Sequence, residues 1–543
     1  MQRLYYGGDI ITMENENDHV QAVLVEDGKI KKVGTLDDVE YLLSKEKIEK
    51  INLEGKTLMP AFIDAHGHIS MVGPISVLAD LSGCESFDHI IYTMKAYMEE
   101  KGISKGEMVV GFGYDHNNLL EEKHPTKEVL NQVSTENPIF ISHASAHMGI
   151  ANDAALRLIG IDENTPDPEG GHIGRIEGSN EPNGYLEEGA MMPLQEKVFK
   201  QSGMDTAELA LVAQDIYIKN GITTIQDGAT SLDTINLFKT LSKQKKLKVD
   251  VVAYPLVSDD AREIWKNNQD YTTNYSNHFR IGGYKMFLDG SPQGKTAWLT
   301  EPYEGEESYL GYPWFKDEQV KEMASMAIHD NVQLLTHCNG DAASDQLLRN
   351  YEAALKESNN PNKNKLRPVM IHCQTVRYDQ LDKMVELEMI PSIFVSHTYY
   401  WGDVHLKNLG DERGNRISPA KSAFDRGLCV NFHQDAPVIK PDMLHTLWCA
   451  VNRQTRKGVT IGPEERVSVY DALKALTINA AYQYSEENIK GSIKEGKLAD
   501  LVILDENPLK VAKMELKDIQ VVETIKEGNT IYRASFDSFQ TAW

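Results

Sequence analysis

Apolar runs recur through the middle of the chain at a spacing that leaves room for a helix between most neighbours. The runs are Leu58–His66, Gly221–Asp227, Lys248–Pro255, Gly283–Asp289, Val332–His337, Pro368–His372, Ile390–Ser396 and Leu428–Asp435. Continuous apolar stretches of this length read as strands buried on both faces. Eight of them with helix-length connections predict an α/β fold, a distorted (β/α)8 TIM barrel. The first connection, about residues 70–215, is far too long for one helix. It predicts a large insertion after barrel strand 1, with strands of its own at Val109–Gly113 and Ile139–Ser142.

Both ends of the chain have a different texture. Ile10–Met13, Ala22–Val25 and Lys29–Val33 are short β-like runs, with Asp27 and Gly28 as a hairpin turn. Leu501–Leu504 and Val521–Ile525 repeat the pattern, with turns at Asn507-Pro508 and Glu527–Asn529. A small β-sandwich formed by both termini, residues 1–57 and 490–543, is therefore expected beside a barrel domain over residues 58–489.

Composition narrows the function classes. The chain has 543 residues, 41% hydrophobic and 25% charged, as in a globular protein with a large core. Its formal net charge is −25. Phosphate backbones need a basic stripe, so neither nucleic acid nor an anionic membrane is expected as a partner. The N-terminal segment lacks an apolar h-region, and no window approaches a membrane span in length. Five cysteines, Cys84, Cys338, Cys373, Cys429 and Cys449, show no CxxC spacing and fit free thiols in a reducing compartment. A cytoplasmic protein is expected, with a small-molecule substrate and a second copy of itself in a homodimer.

The polar residues that end the strands carry the chemistry. His66 and His68 are spaced i, i+2, which places both imidazoles on one face of a strand. Taken alone, such a pair also fits a polar strand end. Lys285 lies on the fourth run, His337 and His372 end the fifth and sixth, and Asp435 ends the eighth. Barrel chemistry sits at the C-terminal ends of strands. Imidazole and carboxylate converging there suit zinc, with manganese or iron as alternatives.

This order of residues resembles the amidohydrolase superfamily. Pro60–His68 is similar to its first-strand motif, and Gly491–Val502 to its return into the sandwich. Lys285–Ser291, His337–Ala342, His433–Val438, Ser396–His405 and Gly111–Asp115 resemble the YtcJ-like branch, which includes N-substituted formamide deformylases. The resemblance covers essentially the whole chain. It implies that His66, His68 and Asp435 bind a buried divalent metal and that His337 and His372 bind a second. It further implies a CO2-derived carbamate on Lys285 as a bridge, since a bare ammonium offers donors and no acceptor. The alternative is an unmodified Lys285 beside a single metal. The implied reaction is hydrolysis of an amide-like C–N bond by metal-activated water, with Asp435 as general base. The same site could instead serve isomerisation, decarboxylation or lactone hydrolysis, or a non-catalytic regulator that binds a ligand.

Other residues carry two readings each. His397 follows the seventh run and is a further catalytic candidate, whereas Tyr114, Asp115, His147, Tyr399, Trp401 and His405 could line a substrate pocket or pack loops. Cys338 and Cys373 each follow a histidine. Strand alternation turns them toward the helices, as buried thiols rather than nucleophiles or ligands. Asp289 and Asp341 could orient ligands, or Asp341 could cap the following helix. Asn152 reads as an N-cap, and Arg453 as a helix-surface charge.

Overall fold

The apolar run Leu58–His66 does not form one strand. In the computed structural model, which describes residues 2–43, 48–144, 148–168, 171–194, 205–257 and 259–535, it feeds two sheets. Thr57–Pro60 pairs antiparallel with Leu501–Leu504, whereas Phe62–Ile63 (β1) pairs parallel with Ile222–Thr230 (β2). Pro60 has no N–H to continue the first ladder. The chain crosses at Ala61, whose N–H reaches Asp500 O at 3.0 Å.

The chain divides into two units, residues 1–70 with 211–543, and residues 71–210. The first holds two parallel sheets in a mixed α/β arrangement. One runs β1, β2, Asp250–Pro255 (β3) and Phe279–Ile281 (β4), in chain order. The other runs Gly283–Phe287 (β5), Gln333–Cys338 (β6), Val369–His372 (β7), Ile390–Ile393 (β8) and Asn431–Phe432 (β9), again in chain order. The fourth apolar run, Gly283–Asp289, forms β5, and Gly282 parts it from β4. A side chain there would start 2.4 Å from the Tyr254 ring, so the close approach requires glycine. Ile63, Val252, Tyr254, Leu335, Ile371 and Ile390 join one buried cluster fed by both sheets. Val320, Ala324 and Ile328 are the buried face of the helix Asp317–Asp330 that leads into β6.

Two further sheets come from the chain ends. One has the order 29–34, 22–26, 2–6, 48–52, and the other 9–10, 57–60, 501–504, 521–526, 529–533. Tyr5, Val23, Leu58, Leu501 and Ile525 share one buried cluster across them.

The second unit is built on a six-stranded sheet in the order 171–175, 182–188, 148–151, 139–143, 109–114, 79–80. Asn152 caps the helix Asp153–Ile159 by accepting from Ala155 N at 2.9 Å, as expected from the sequence. Arg453, read as a surface charge, is fully buried instead. Its guanidinium donates to the carbonyls of Ile461, Ser418 and Ile417 at 2.8, 2.9 and 2.6 Å. A buried arginine that finds three backbone acceptors ties loops together, and nothing in its local sequence announces those carbonyls.

Candidate metal centre

Parallel strands place their C-terminal ends on one side, and there β1, β5, β6, β7 and β9 deliver polar side chains. His66 and His68 follow β1, Lys285 is at the centre of β5, His337 lies near the end of β6, His372 closes β7, and Asp435 follows β9. Backbone bonds from Asp435 N to His66 O, 3.2 Å, and from His68 N to Ala436 O, 2.8 Å, join the β9 loop to the β1 loop.

The side chains converge on Asp435. Its Oδ1 lies 3.4 Å from His66 Nε2 and 3.2 Å from His68 Nε2, and its Oδ2 lies 4.0 Å from His372 Nε2. Ligand atoms of His66, His372 and Asp435 lie within 4.8 Å of one another. Lys285 Nζ is 3.1 Å from His66 Nε2. His337 meets His372 edge to face, ring centroids 4.4 Å apart. Its nitrogens approach Asp289 Oδ1 at 3.3 Å and Asn339 Nδ2 at 3.4 Å rather than Asp435.

The outward nitrogens fix which face of each ring looks inward. His66 Nδ1 meets Gln226 Oε1 at 2.6 Å, and His68 Nδ1 meets Gly228 O at 2.6 Å. Gln226 Nε2 donates to Ala65 O at 2.7 Å, which orients its amide so that Oε1 accepts. Each Nδ1 is therefore the N–H, and each Nε2 turns toward the carboxylate. Burial, reinforced by Lys285, holds the His66 imidazolium well below the usual range, so its Nε2 presents a lone pair. Asp435 Oδ1 is buried with no hydrogen-bond partner among the described residues. The His66 lone pair facing a carboxylate oxygen favours a cation between them, and this donor set fits a divalent metal. Burial lowers His68 as well, but the Asp435 carboxylate outweighs it and holds His68 above its ordinary value. Asp435 stays well below the carboxylate range despite its burial, because His68, His66 and His372 surround it. Burial lowers Lys285 to about 7.

Three residues not anticipated as site members support this centre. His433 is fully buried, and its Nε2 lies 3.1 Å from His372 Nδ1 while its Nδ1 lies 2.9 Å from Ser392 Oγ. Its i, i+2 spacing from Asp435 was the available signal. Gln226, inside an apolar strand, gave none. Asp227 Oδ1 accepts from Ser70 N at 2.9 Å and pins the loop after His68. Asp289 takes the orienting role: its Oδ1 accepts from Asn339 N at 3.0 Å, and its Oδ2 from Gly340 N at 2.7 Å and Trp298 N at 3.0 Å. Asp341 opens the first turn of helix Asp341–Glu357 without capping it, accepting from Thr300 N at 2.9 Å and Arg377 Nη1 at 3.0 Å.

The remaining candidates separate. His397 is buried against Phe394, Trp401 and His405, with His397 Nδ1 3.1 Å from His405 Nε2. Phe394 also packs, tilted, against His433 at 5.3 Å, so His397 stands one ring away from the centre. Tyr399 packs instead on His445 and Trp448. Cys338 and Cys373 are buried, and burial pushes both thiols up, as suits inert side chains. Tyr114 and Asp115 belong to the second unit, and His147 lies outside the described residues.

A model of the amidohydrolase family matches residues 49–532. The chain is 28% identical over 533 residues to an N-substituted formamide deformylase of Arthrobacter pascens, covering 96% of each chain. It is also 28% identical to the putative amidohydrolase YtcJ of Bacillus subtilis, covering 98% of this chain and 100% of that one. A solved structure of an uncharacterised metal-dependent hydrolase from Pyrococcus horikoshii superposes with a TM-score of 0.74 at 24% identity, over 94% of this chain and 99% of the other, which establishes the likeness of fold. No helix among the described residues is long and apolar enough to cross a membrane.

Proposed function

This chain belongs to the amidohydrolase family, and from that premise we propose that it hydrolyses an amide-like, non-peptide C–N bond in a small molecule, with Asp435 as general base. We read β1–β9 as a distorted (β/α)8 barrel in which β4 and β5 share one barrel position, and the two sheets from the chain ends as its companion sandwich. The observation that carries the reading is the Asp435 carboxylate oxygen facing the inward nitrogens of His66 and His68 without a hydrogen-bond partner.

His66, His68, His372 and Asp435 would hold a zinc-like cation, with Lys285 and His337 beside it. Such an ion supplies the positive charge that polarises a carbonyl and acidifies water. Asp435 takes the proton of the attacking water and delivers it to the leaving nitrogen as the C–N bond breaks. Gln226 and Gly228 O keep His66 and His68 in one tautomer, which the work of Asp435 depends on. Lys285, lowered to about 7 by burial, is substantially a neutral amine at neutral pH. That form can add CO2 through its nitrogen and release one proton, giving a carbamate with two oxygens. Phe394, His397 and Trp401 supply an apolar wall, which favours an N-formyl or N-acyl amine with an apolar substituent. The deformylase relative points to the same substrate class.

The test is amine release from a panel of N-formyl and N-acyl amines by zinc-replete and chelator-stripped protein. Release by the replete form alone is expected. Turnover of lactones with no amine released from any member of the panel would overturn the C–N assignment.

A further inference from the structure

The second unit carries its own convergence of ligand atoms. The strands 109–114 and 139–143 are parallel neighbours, and Tyr114 pairs in register with His143. Their C-terminal ends therefore place Asp115, His116 and His143 together, the arrangement by which strand ends deliver ligands at the centre above. His116 Nδ1 lies 3.3 Å from His143 Nε2, His143 Nε2 lies 3.5 Å from Asp115 Oδ1, and His116 Nδ1 lies 3.8 Å from that same oxygen.

Those three edges form a nearly equilateral triangle. A zinc ion with bonds of roughly 2.0–2.2 Å in tetrahedral geometry sets its ligand atoms about 3.3–3.6 Å apart. The 3.3 and 3.5 Å edges fall within that figure and the 3.8 Å edge lies just beyond it, a spread like that of the Asp435 cluster, 3.2, 3.4 and 4.0 Å. The His116–His143 edge is within hydrogen-bond reach, whereas the two edges to Asp115, 3.5 and 3.8 Å, are longer than the about 2.7–3.2 Å to which an N–H···O bond normally closes. Asp115 Oδ1 also accepts from Asn117 N at 2.9 Å and Asn117 Nδ2 at 3.0 Å, capping the turn His116–Asn118. A carboxylate has lone pairs for both duties. The ring planes are set from behind: His124 stacks on His116 at 4.0 Å, and Tyr114 Oη lies 3.0 Å from His124 Nδ1. Asp115 and His143 are buried, and His116 is half-buried, which leaves the cluster an approach from solvent.

We propose that Asp115, His116 and His143, all of the unit 71–210, form a second divalent-metal site of zinc type. Among the described residues, two imidazoles and one carboxylate supply three ligands, a donor set that suits zinc.

Total zinc per chain is the test, measured on the full-length protein after chelation and reloading. His116→Gln should lower it by one equivalent while the Asp435 centre stays loaded. A second arm removes that centre with His66→Ala and His68→Ala. This protein should still take up one cobalt(II) with the visible absorption of a four-coordinate nitrogen and oxygen site, and His143→Gln added to it should abolish the absorption. Unchanged zinc in His116→Gln overturns the site. So does cobalt uptake that persists with His143→Gln, which would mark adventitious binding. Because His116 is half-buried and its replacement keeps the fold's apolar contacts, the first arm decides the matter if the triple variant fails to fold.

Discussion

Asp250, buried, and Asp435, largely buried, are carboxylates at the parallel strands of one unit, Asp250 at the N-terminal end of β3 and Asp435 just beyond β9. Their surroundings differ. Asp250 sits in a closed ionic network. Lys526 Nζ bonds Asp250 Oδ2 at 2.6 Å and Asp500 Oδ2 at 2.7 Å, and Lys490 bonds Asp250 and reaches Glu486 at 3.0 Å. Arg280 completes it against Glu486 at 3.1 Å, and His278 Nδ1 lies 2.8 Å from Asp250 Oδ1. Asp250, Asp500 and Glu486 are thus matched by Lys490, Lys526 and Arg280. At Asp435 the neighbours are imidazole nitrogens, one of them a lone pair held neutral by burial, and a carboxylate oxygen is left over. Both regions bear the cost of desolvating charge. One closes its pairing within the chain and serves stability, whereas the other stays open and has room for an ion and chemistry.

If that contrast is right, substitutions at the two ends should split cleanly between turnover and folding. The largest effect is expected at the open end. Asp435→Asn keeps an oxygen and the side-chain volume but cannot accept the proton. Turnover of whichever amide the panel identifies should fall by roughly 10²–10⁴-fold, with the unfolding midpoint little changed. Near-native turnover would move the base role to another group, His397 being the nearest candidate one ring away.

At the closed end the effect should fall on stability. Lys526→Met removes the cation shared by Asp250 and Asp500 and leaves two buried carboxylates short of a partner. Breaking a buried pair in this way costs about 3–5 kcal/mol. Urea unfolding should show that loss, with kcat of the folded fraction unchanged. Parent-like stability would mean that the network closes without Lys526, and the distinction between the two ends would lose its basis.

The open end was largely legible in the sequence. Strand-end histidines at i, i+2 and a carboxylate after the last apolar run identify themselves, because period-two geometry decides which side chains face together. His66, His68, His372 and Asp435 do meet, although His66, His68 and Asp435 lie in the loops after β1 and β9 rather than on strands, and Lys285 joins them from a mid-strand position. The closed end was not legible, since Asp250, Lys490 and Lys526 lie far apart in sequence and look like ordinary charges until the chain folds. The same limit hid Gln226 and Arg453, whose partners are backbone or side-chain atoms supplied by distant loops. The strand boundaries failed for a different reason. Leu58–His66 is continuously apolar, so nothing in it marks the point where the chain leaves one sheet for another.

The smallest effect is the acid dependence of stability, and it separates the two carboxylates most finely. Burial raises Asp250, but Lys490 and Lys526 outweigh it and hold the carboxyl well below the usual range. A carboxyl lowered by folding contributes stability that is fully present above the unfolded value, about 3.9, and is lost as pH falls through the folded value. Unfolding free energy should therefore decline as pH drops below about 4. In Lys526→Met one of the two cations is gone, the folded Asp250 moves back toward its unfolded value, and the decline should be shallower. Asp435 is held low by its histidines as well, so both proteins are compared in an Asp435→Asn background, metal-stripped, to silence the open end. Urea midpoints measured from pH 6 down to pH 3 give the two slopes. Equal slopes would show that Lys526 does not hold Asp250 down, and the closed network would then be a set of proximities rather than a store of stability.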